Sequence, residues 1–208
     1  MKAGGCIIPL IIPAFRKENK PAKLYSLIQT KLQMALIKAV KGVVPKFGKN
    51  CFLADNATIT GDVVMGDDCS VWFNAVIRGD VHYIRIGNNV NIQDGAIIHC
   101  TYQKWPVDIG NNVSIAHNAI IHGCTINDNV LVGMGAIVMD GAVISSNSII
   151  GAGAVVTEGS RVESGSVWAG IPARKVKDID QALLEGQVNR ISRNYNRYAS
   201  WYGDEPLP

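Results

Sequence analysis

The sequence predicts an all-β fold, a left-handed parallel β-helix of hexapeptide repeats, followed by a C-terminal α-helix. Three observations indicate this fold: an aliphatic residue recurs every six positions, a small or β-branched residue follows four places later, and Gly, Asn and Asp fall between them. Because Gly, Asn and Asp tolerate the backbone angles of sharp corners, the chain can bend every six residues and stack its aliphatic side chains inside. Three hexads form one triangular coil, and each strand pairs with the strand one coil away, about 4.8 Å distant.

The aliphatic positions follow the predicted strands from Leu53 to Ala173. They are Leu53, Ile59, Met65, Val71, Ile77, Ile86, Ile92, Ile98, Ile109, Ile115, Ile121, Ile126, Val132, Val138, Ile144, Ile150, Val156 and Val162. The spacing slips at Ile77–Ile86, Ile98–Ile109 and Ile121–Ile126, which are steps of nine, eleven and five residues. We expect loops to leave the coil at the two longer steps, and loops on a rigid scaffold often carry binding sites.

The periodicity divides the chain into three segments. Residues 1–40 form an N-terminal extension outside the repeat, residues 41–176 form the β-helix, and residues 177–208 form the C-terminal helix and tail. Two interpretations of residues 1–33 stay open: a poorly ordered tail, or sequence that lies upstream of a natural start at Met34.

Composition excludes several classes of function. The 20 Lys and Arg residues against 17 Asp and Glu give a net charge of only +3, without a basic stripe, so no nucleic-acid partner is expected. The five cysteines contain no C-x-x-C pair, which argues against a disulfide framework and favours a reducing cytoplasm. The apolar segment at residues 6–15 contains two prolines and is too short to cross a bilayer, so no membrane association is expected.

Three of the four histidines fall at informative positions of the repeat. His99 and His122 each follow an aliphatic position, three hexads apart, so they stack on one face within reach of a common ion. His117 lies two places after Ile115, on another face, and can join that ion only from a neighbouring chain. The register therefore predicts a homotrimer with three intersubunit metal sites, against the simpler alternative of ordinary surface histidines.

Other polar residues occupy the same coils. His82 has no partner by register and is interpreted as a loop histidine. Asp94 stacks one coil below His117, and Gln93 precedes it as a candidate hydrogen-bond donor to the metal-bound species. We interpret three charged residues as interface residues that hold the subunits together: Arg78, Asp80 and Asp94.

These residues together resemble the γ-class carbonic anhydrase family over about residues 38–202. The matching motifs, in order, are Arg78-Gly79-Asp80, Asn91-Ile92-Gln93-Asp94, His99, the segment from His117 to Cys124, and Gly133-Met134-Gly135-Ala136. The resemblance implies zinc, or iron or cobalt as in some members, bound by His99, His117 and His122. It also implies reversible hydration of carbon dioxide to bicarbonate and a proton, by a metal-bound hydroxide.

The sequence departs from the family at two glutamates of its archetypal active members. Val81 stands where a glutamate follows the aspartate, and the loop at residues 100–106 carries no carboxylate in place of the proton-shuttle glutamate. Because each turnover must export a proton, we expect activity to be slowed or lost. In the shorter-loop branch of the family a C-terminal tyrosine lies near the metal, and Tyr195 aligns with it.

Two other functions remain in competition with a zinc-dependent lyase. The chain could be an acyltransferase or acyl-coenzyme A thioesterase, in which a single histidine acts as a base beside a coenzyme A groove. It could also be a non-catalytic metal-binding assembly protein, which the missing glutamates favour. Three histidines that converge on one ion favour the metal site over acyl transfer, because acyl transfer does not need them.

Overall fold

The structure, a computed structural model, describes residues 35–202, so the predictions for residues 1–33 and Met34 lie outside it. Its strands, in chain order, are β1 Leu36–Lys38, β2 Lys46–Phe47, β3 Phe52–Leu53, β4 Thr58–Met65, β5 Ser70–Val71, β6 Val76–Ile86, β7 Asn91–Ile92, β8 Ile97–His99, β9 Val107–Ile109, β10 Ser114–Ile115, β11 Ile120–His122, β12 Thr125–Ile126, β13 Val130–Val132, β14 Ile137–Val138, β15 Val143–Ile144, β16 Ser148–Ile150, β17 Val155–Val156, β18 Arg161–Val162, β19 Ser166–Ala169 and β20 Arg174–Asp178. Two short α-helices, α1 Gln181–Leu183 and α2 Arg190–Ser200, flank a π-helical segment, Leu184–Asn189.

The strands stack as three faces of a prism, and this confirms the predicted left-handed parallel β-helix, with about seven coils. Face A contains β1, β8, β11, β14 and β17, together with the first parts of β4 and β6. Face B contains β2, β9, β12, β15 and β18, together with the last parts of β4 and β6. Face C contains β3, β5, β7, β10, β13, β16 and β19, and β20 runs antiparallel along β19.

The core follows the aliphatic repeat. On face A the inward column reads Ile59, Ile77, Ile98, Ile121, Val138 and Val156, and each of these side chains is at most 1% exposed. Burying one such side chain contributes about 1.5–3 kcal/mol. At one corner, Asn89, Asn112, Asn129 and Asn147 adopt positive φ and pass side-chain hydrogen bonds from coil to coil, which explains why the corner uses asparagine.

The longer steps in the period behave differently from each other. The loop predicted at Ile77–Ile86 is wrong, because β6 continues through the corner and places Asp80–Tyr83 as a bulge opposite Asp62 alone. His82 is therefore part of a strand and not a loop histidine. The loop predicted at Ile98–Ile109 is confirmed: residues 100–106 leave the coil and are closed by a bridge between Thr101 and Trp105.

The predicted start of the β-helix at residue 41 is too late. Strand β1, Leu36–Lys38, pairs in parallel with Thr58–Thr60 and belongs to the first coil. The periodicity did not predict this strand, because the strand precedes the first regular hexad. At the other end, β20 crosses the predicted boundary at residue 176 as an antiparallel strand that ends the coil.

The C-terminal helix is confirmed and covers face C. The Asp180 carboxylate accepts a hydrogen bond from the Leu183 amide and caps its first turn. Farther along, Ser192 donates to the Asn89 carbonyl, and Asn196 donates to the Asn89 side chain. Polar residues that point outward from face C are buried there: Ser70, Asn91, Gln93 and Ser114. Among the described helices, none combines the length and apolar composition that crossing a membrane requires.

Candidate metal centre

Two histidines meet on the outer surface of face A. His99 ends β8 and His122 ends β11, and the two residues are direct partners in the parallel register. Their rings face each other, with His99 Nδ1 3.0 Å from His122 Nε2. Two imidazole nitrogens on a tetrahedral zinc ion, with bonds of about 2.0–2.1 Å, lie roughly 3.3 Å apart. A shift of a few tenths of an ångström would therefore allow this pair to bind one ion.

Carboxylates hold the far side of both rings. His99 Nε2 lies 3.2 Å from Asp80 Oδ1, and His122 Nδ1 lies 2.5 Å from Asp140 Oδ1. A carboxylate can only accept, so each ring donates its N–H outward and directs its lone pair toward the other histidine. This pairing is how metal-binding histidines are usually oriented.

His117 lies apart from this pair, at the corner where face C turns into face A. Its Nδ1 lies 2.9 Å from Asp94 Oδ2, and its Nε2 lies 3.3 Å from the Tyr195 hydroxyl. A proton on Nδ1, beside the Asp94 carboxylate, leaves a lone pair on Nε2. Each of the three histidines thus has its own carboxylate and one nitrogen available as a ligand.

Local electrostatics favour a neutral His99 ring and ionised carboxylates at face A. Burial, followed by the Arg78 charge, lowers the pKa of His99, so the ring stays neutral. Burial alone would raise the pKa of Asp80, but hydrogen bonds from Arg78 and His99 outweigh it and lower that pKa. The pKa of Asp140 is lowered in the same way, by Thr101 and His122 against burial. Neutral imidazole is the form that binds metals.

One chain alone does not complete a three-ligand site. Within residues 35–202, no three His, Cys, Asp or Glu side chains come close enough to hold an ion together. The donors nevertheless fit a zinc ion in kind, because imidazole nitrogens with carboxylates behind them are typical of zinc centres. Face A supplies two of them, His99 and His122, and the corner supplies His117.

The structure also locates the other predicted site residues. Arg78 pairs with Asp80 within the chain, Nη1 to Oδ2 at 2.7 Å. Gln93 is 3% exposed beneath the C-terminal helix, where its amide donates to Asn91 Oδ1. Val81, in the bulge, packs partly against the core. The interface and reaction roles assigned to these residues stay predictions.

Asp140 and Thr101 were missed by the sequence analysis. The Thr101 hydroxyl donates to Asp140 Oδ2 at 2.5 Å, while the other oxygen of that carboxylate meets His122. A register signal existed, because Val138 stacks directly above Ile121, which places Asp140 one coil above Gly123. The sequence did not show that this side chain turns back toward His122.

Comparisons with known proteins agree with this fold and site. A family model described as bacterial transferase hexapeptide (six repeats) matches residues 45–79 and 123–158. A carbonic anhydrase of Geobacillus kaustophilus is 41% identical over 167 residues, which cover 80% of this chain and 91% of that protein. The mitochondrial gamma carbonic anhydrase 2 of Arabidopsis thaliana is 36% identical over 167 residues, covering 77% of this chain and 59% of that protein. The crystal structure of a hexapeptide transferase family protein from Anaplasma phagocytophilum has a TM-score of 0.76 and 37% identity, covering 80% and 98% of the two chains.

The coils and the repeat thus define a hexapeptide-repeat protein. Within that class, the extent and identity of the matches show that the chain belongs to the γ-class carbonic anhydrase family. The resemblance inferred from the histidine, arginine and aspartate motifs is confirmed.

Proposed function

We propose that this protein catalyses the reversible hydration of carbon dioxide to bicarbonate, at a metal site shared between the subunits of a homotrimer. One observation carries the proposal: three histidines, each oriented by a carboxylate, present three free nitrogens from two separate places on the chain. These two places would come together when one copy packs against another. Its similarity to carbonic anhydrases supports the same reaction.

The proposed ligands are His99 and His122 of one subunit and His117 of its neighbour, with zinc as the expected ion and iron or cobalt as alternatives that the same donors accept. A metal ion held by these three imidazoles would supply a nucleophile at neutral pH, because it would lower the pKa of water to about 7. Asp80, Asp140 and Asp94 hold the ligand rings in the tautomer that this requires.

The outer surface of face A has the features expected of a contact with a second copy of this chain. One outward column on this face is apolar across five coils: Val76, Ile97, Ile120, Ile137 and Val155. Ile97 is 42% exposed in the single chain. An apolar stripe of this length beside an incomplete site is what a subunit contact requires.

The three carboxylates at the site face the histidine rings, and neither of the two side chains proposed to contact the reacting species, Tyr195 and Gln93, can accept the released proton. Burial, followed by the Asp94 charge, raises the pKa of Tyr195 to about 12, so its hydroxyl stays protonated at neutral pH. It can donate a hydrogen bond to a reacting oxygen but cannot take up the released proton. Gln93, proposed to contact bicarbonate, is an amide with the same limitation. The proton must therefore leave to a diffusible buffer.

We place the activity in the cytoplasm. The four cysteines within residues 35–202 are all free thiols, as is usual in a reducing compartment: Cys51, Cys69, Cys100 and Cys124.

Subunit mixing tests the shared site directly. His117→Ala chains and His99→Ala chains are each expected to form trimers without metal or activity. When the two are unfolded together and refolded as an equal mixture, a site is complete wherever a His117→Ala chain meets the corner of a His99→Ala chain, about one site in four. Zinc content and stopped-flow carbon dioxide hydration should recover together to that level.

Two outcomes would contradict the proposal. If the mixture recovers no zinc while wild-type protein treated identically does, the ligands do not come from different subunits. If zinc recovers and carbon dioxide hydration is absent at every buffer concentration, the metal site is real and the reaction is wrong. The thioesterase and the non-catalytic assembly protein would then be the remaining functions.

A further inference from the structure

We propose that Asp140 is a positioning residue for His122 and that Thr101, from the loop at residues 100–106, holds Asp140 in place. This inference rests on the proposed function, because it takes His122 to be a metal ligand. It assigns a structural role at the metal site to a loop in which the shuttle glutamate of the family is missing.

The Asp140 carboxylate is divided between two partners. Oδ1 lies 2.5 Å from His122 Nδ1, and Oδ2 accepts the Thr101 hydroxyl at 2.5 Å. The first contact keeps the His122 proton on Nδ1 and leaves Nε2 free toward His99. The second contact fixes the rotation of the carboxylate, so that Oδ1 stays directed at the ring. The Asp140 side chain is only 24% exposed, which limits competition from water.

The contact between Asp140 and His122 fits because residue 123 is a glycine and has no side chain. A Cβ atom on Gly123 would meet Asp140 Oδ1 and also come within 2.7 Å of Trp105 Cβ. Any larger residue at position 123 would push both the carboxylate and the loop away from His122. Trp105 also lies over Gly141, 3.0 Å from where its Cβ would be. The loop therefore packs, through Trp105, against Gly123 and Gly141, which lie on either side of the contact between Asp140 and His122.

Asp140 differs from the other two histidine partners in its origin. Asp80 and Asp94 precede their histidines in the chain, on the coil below or its bulge, whereas Asp140 comes from the coil above His122. Its second partner, Thr101, belongs to neither coil but to the loop that departs directly after His99. The loop therefore connects the ends of both stacked histidines, and its conformation should affect how tightly the metal binds.

The test measures zinc affinity by competition with a chelator, in the assembled protein. Asp140→Ala should weaken zinc binding about 10- to 100-fold, as loss of a carboxylate behind a ligand histidine usually does. Thr101→Val should weaken it about fivefold, because it removes only one hydrogen bond. Thr101→Ser, which keeps the hydroxyl, should bind zinc as tightly as the wild type does. Asp108→Ala, on face B, is the matched carboxylate control and should bind zinc as wild type does.

A second readout separates positioning from general loss of structure. Nitrogen-15 NMR of the histidine rings reports which nitrogen carries the proton, and the His122 Nδ1–H form should lose population in Asp140→Ala and Thr101→Val. Thr101→Val and Thr101→Ser should both unfold in a single cooperative transition, as the wild type does, which shows that the fold is kept. If Asp140→Ala does not fold, the Thr101 pair carries the test alone.

Failure of this inference can be told apart from failure of the proposed function. If His122→Ala keeps full zinc affinity, His122 is not a ligand and the proposed site is wrong. If His122→Ala loses zinc while Thr101→Val and any folded Asp140→Ala bind it as tightly as Asp108→Ala, the site stands and the positioning role is overturned.

Discussion

Face A and face B share one interior and differ in their exteriors. On face B the outward column that corresponds to the apolar stripe of face A reads Val64, Arg85, Asp108, Thr125, Val143 and Arg161. Its charges are already satisfied within the chain, since Arg85 pairs with Asp62, and Asp108 meets the Tyr83 hydroxyl. Face A instead carries the apolar stripe and two histidines. The contrast supports the proposed placement of the subunit contact on face A.

The comparison shows that the inward positions of each hexad form the core, and the proposed assembly would use the outward positions. The inward aliphatic positions are buried on both faces. They therefore indicate that a coil forms, but they do not indicate what its outer surface contacts. The outward positions are free of that constraint and record what each face meets. In a repeat protein, function is therefore read from the outward positions, one face at a time.

The largest expected effect comes from one charge on face A. Ile137→Arg lies in the apolar stripe, on a strand that carries no histidine, and should convert a trimer of about 67 kDa, three times 22.4 kDa, into monomers without bound metal. Val143→Arg makes the same change on the outward column of face B and should leave the trimer intact. Sedimentation velocity distinguishes the two. A trimeric Ile137→Arg variant would refute the assignment of face A as the subunit contact.

Removing one ligand tests whether the corner serves the same ion as face A. His117→Ala should remove the metal as completely as His99→Ala, although the two residues belong to different faces, because each supplies one of three ligands. His82→Ala, which alters the bulge of β6, should keep its metal. Elemental analysis of the purified trimers measures all three. One metal per chain in His117→Ala would make His117 a bystander.

The fold was predictable because its signal is redundant. The inward aliphatic and the corner residues recur in nearly every hexad, so a single irregular step does not obscure the register. The same register placed His122 above His99, which the strand pairing confirms. It failed at Ile77–Ile86, because an excess of residues is equally compatible with a loop and with a bulged strand.

The contacts around the site were only partly predictable. Register places residues on a coil but does not determine side-chain rotamers, so Asp80 and Asp94 were assigned to an interface when each also contacts a histidine of its own chain. Asp140 reaches His122 diagonally across Gly123, a path that depends on one glycine. The helix that brings Tyr195 to His117 is distant in sequence, and only the family resemblance indicated it.

A smaller effect is expected at the corner between the two faces, where the bulge of β6 lies. Val81→Glu introduces a proton acceptor at the position of a missing family glutamate, and it should raise carbon dioxide hydration roughly tenfold at low buffer concentration but much less at high concentration. The reason is that a diffusible buffer such as imidazole already exports the proton when it is abundant. Val81→Gln, which has the same size but is a far weaker proton acceptor, is the control. Equal gains in both variants would show that the gain is not proton transfer.

The smallest effect concerns Tyr195, which comes from the helix on face C. His117 Nε2 has one lone pair, and in the single chain the Tyr195 hydroxyl lies 3.3 Å from it, so the hydroxyl and a metal compete for the same electrons. Tyr195→Phe should therefore keep the metal. Its zinc affinity should rise by less than about tenfold, because the substitution removes one competing hydrogen bond. Because the hydroxyl stays protonated at neutral pH, the buffer dependence of turnover should not change. Tyr198→Phe, whose ring packs edge-on against Tyr195, is the matched control. A zinc loss in Tyr195→Phe as complete as in His117→Ala would show that face C supplies a required part of the site.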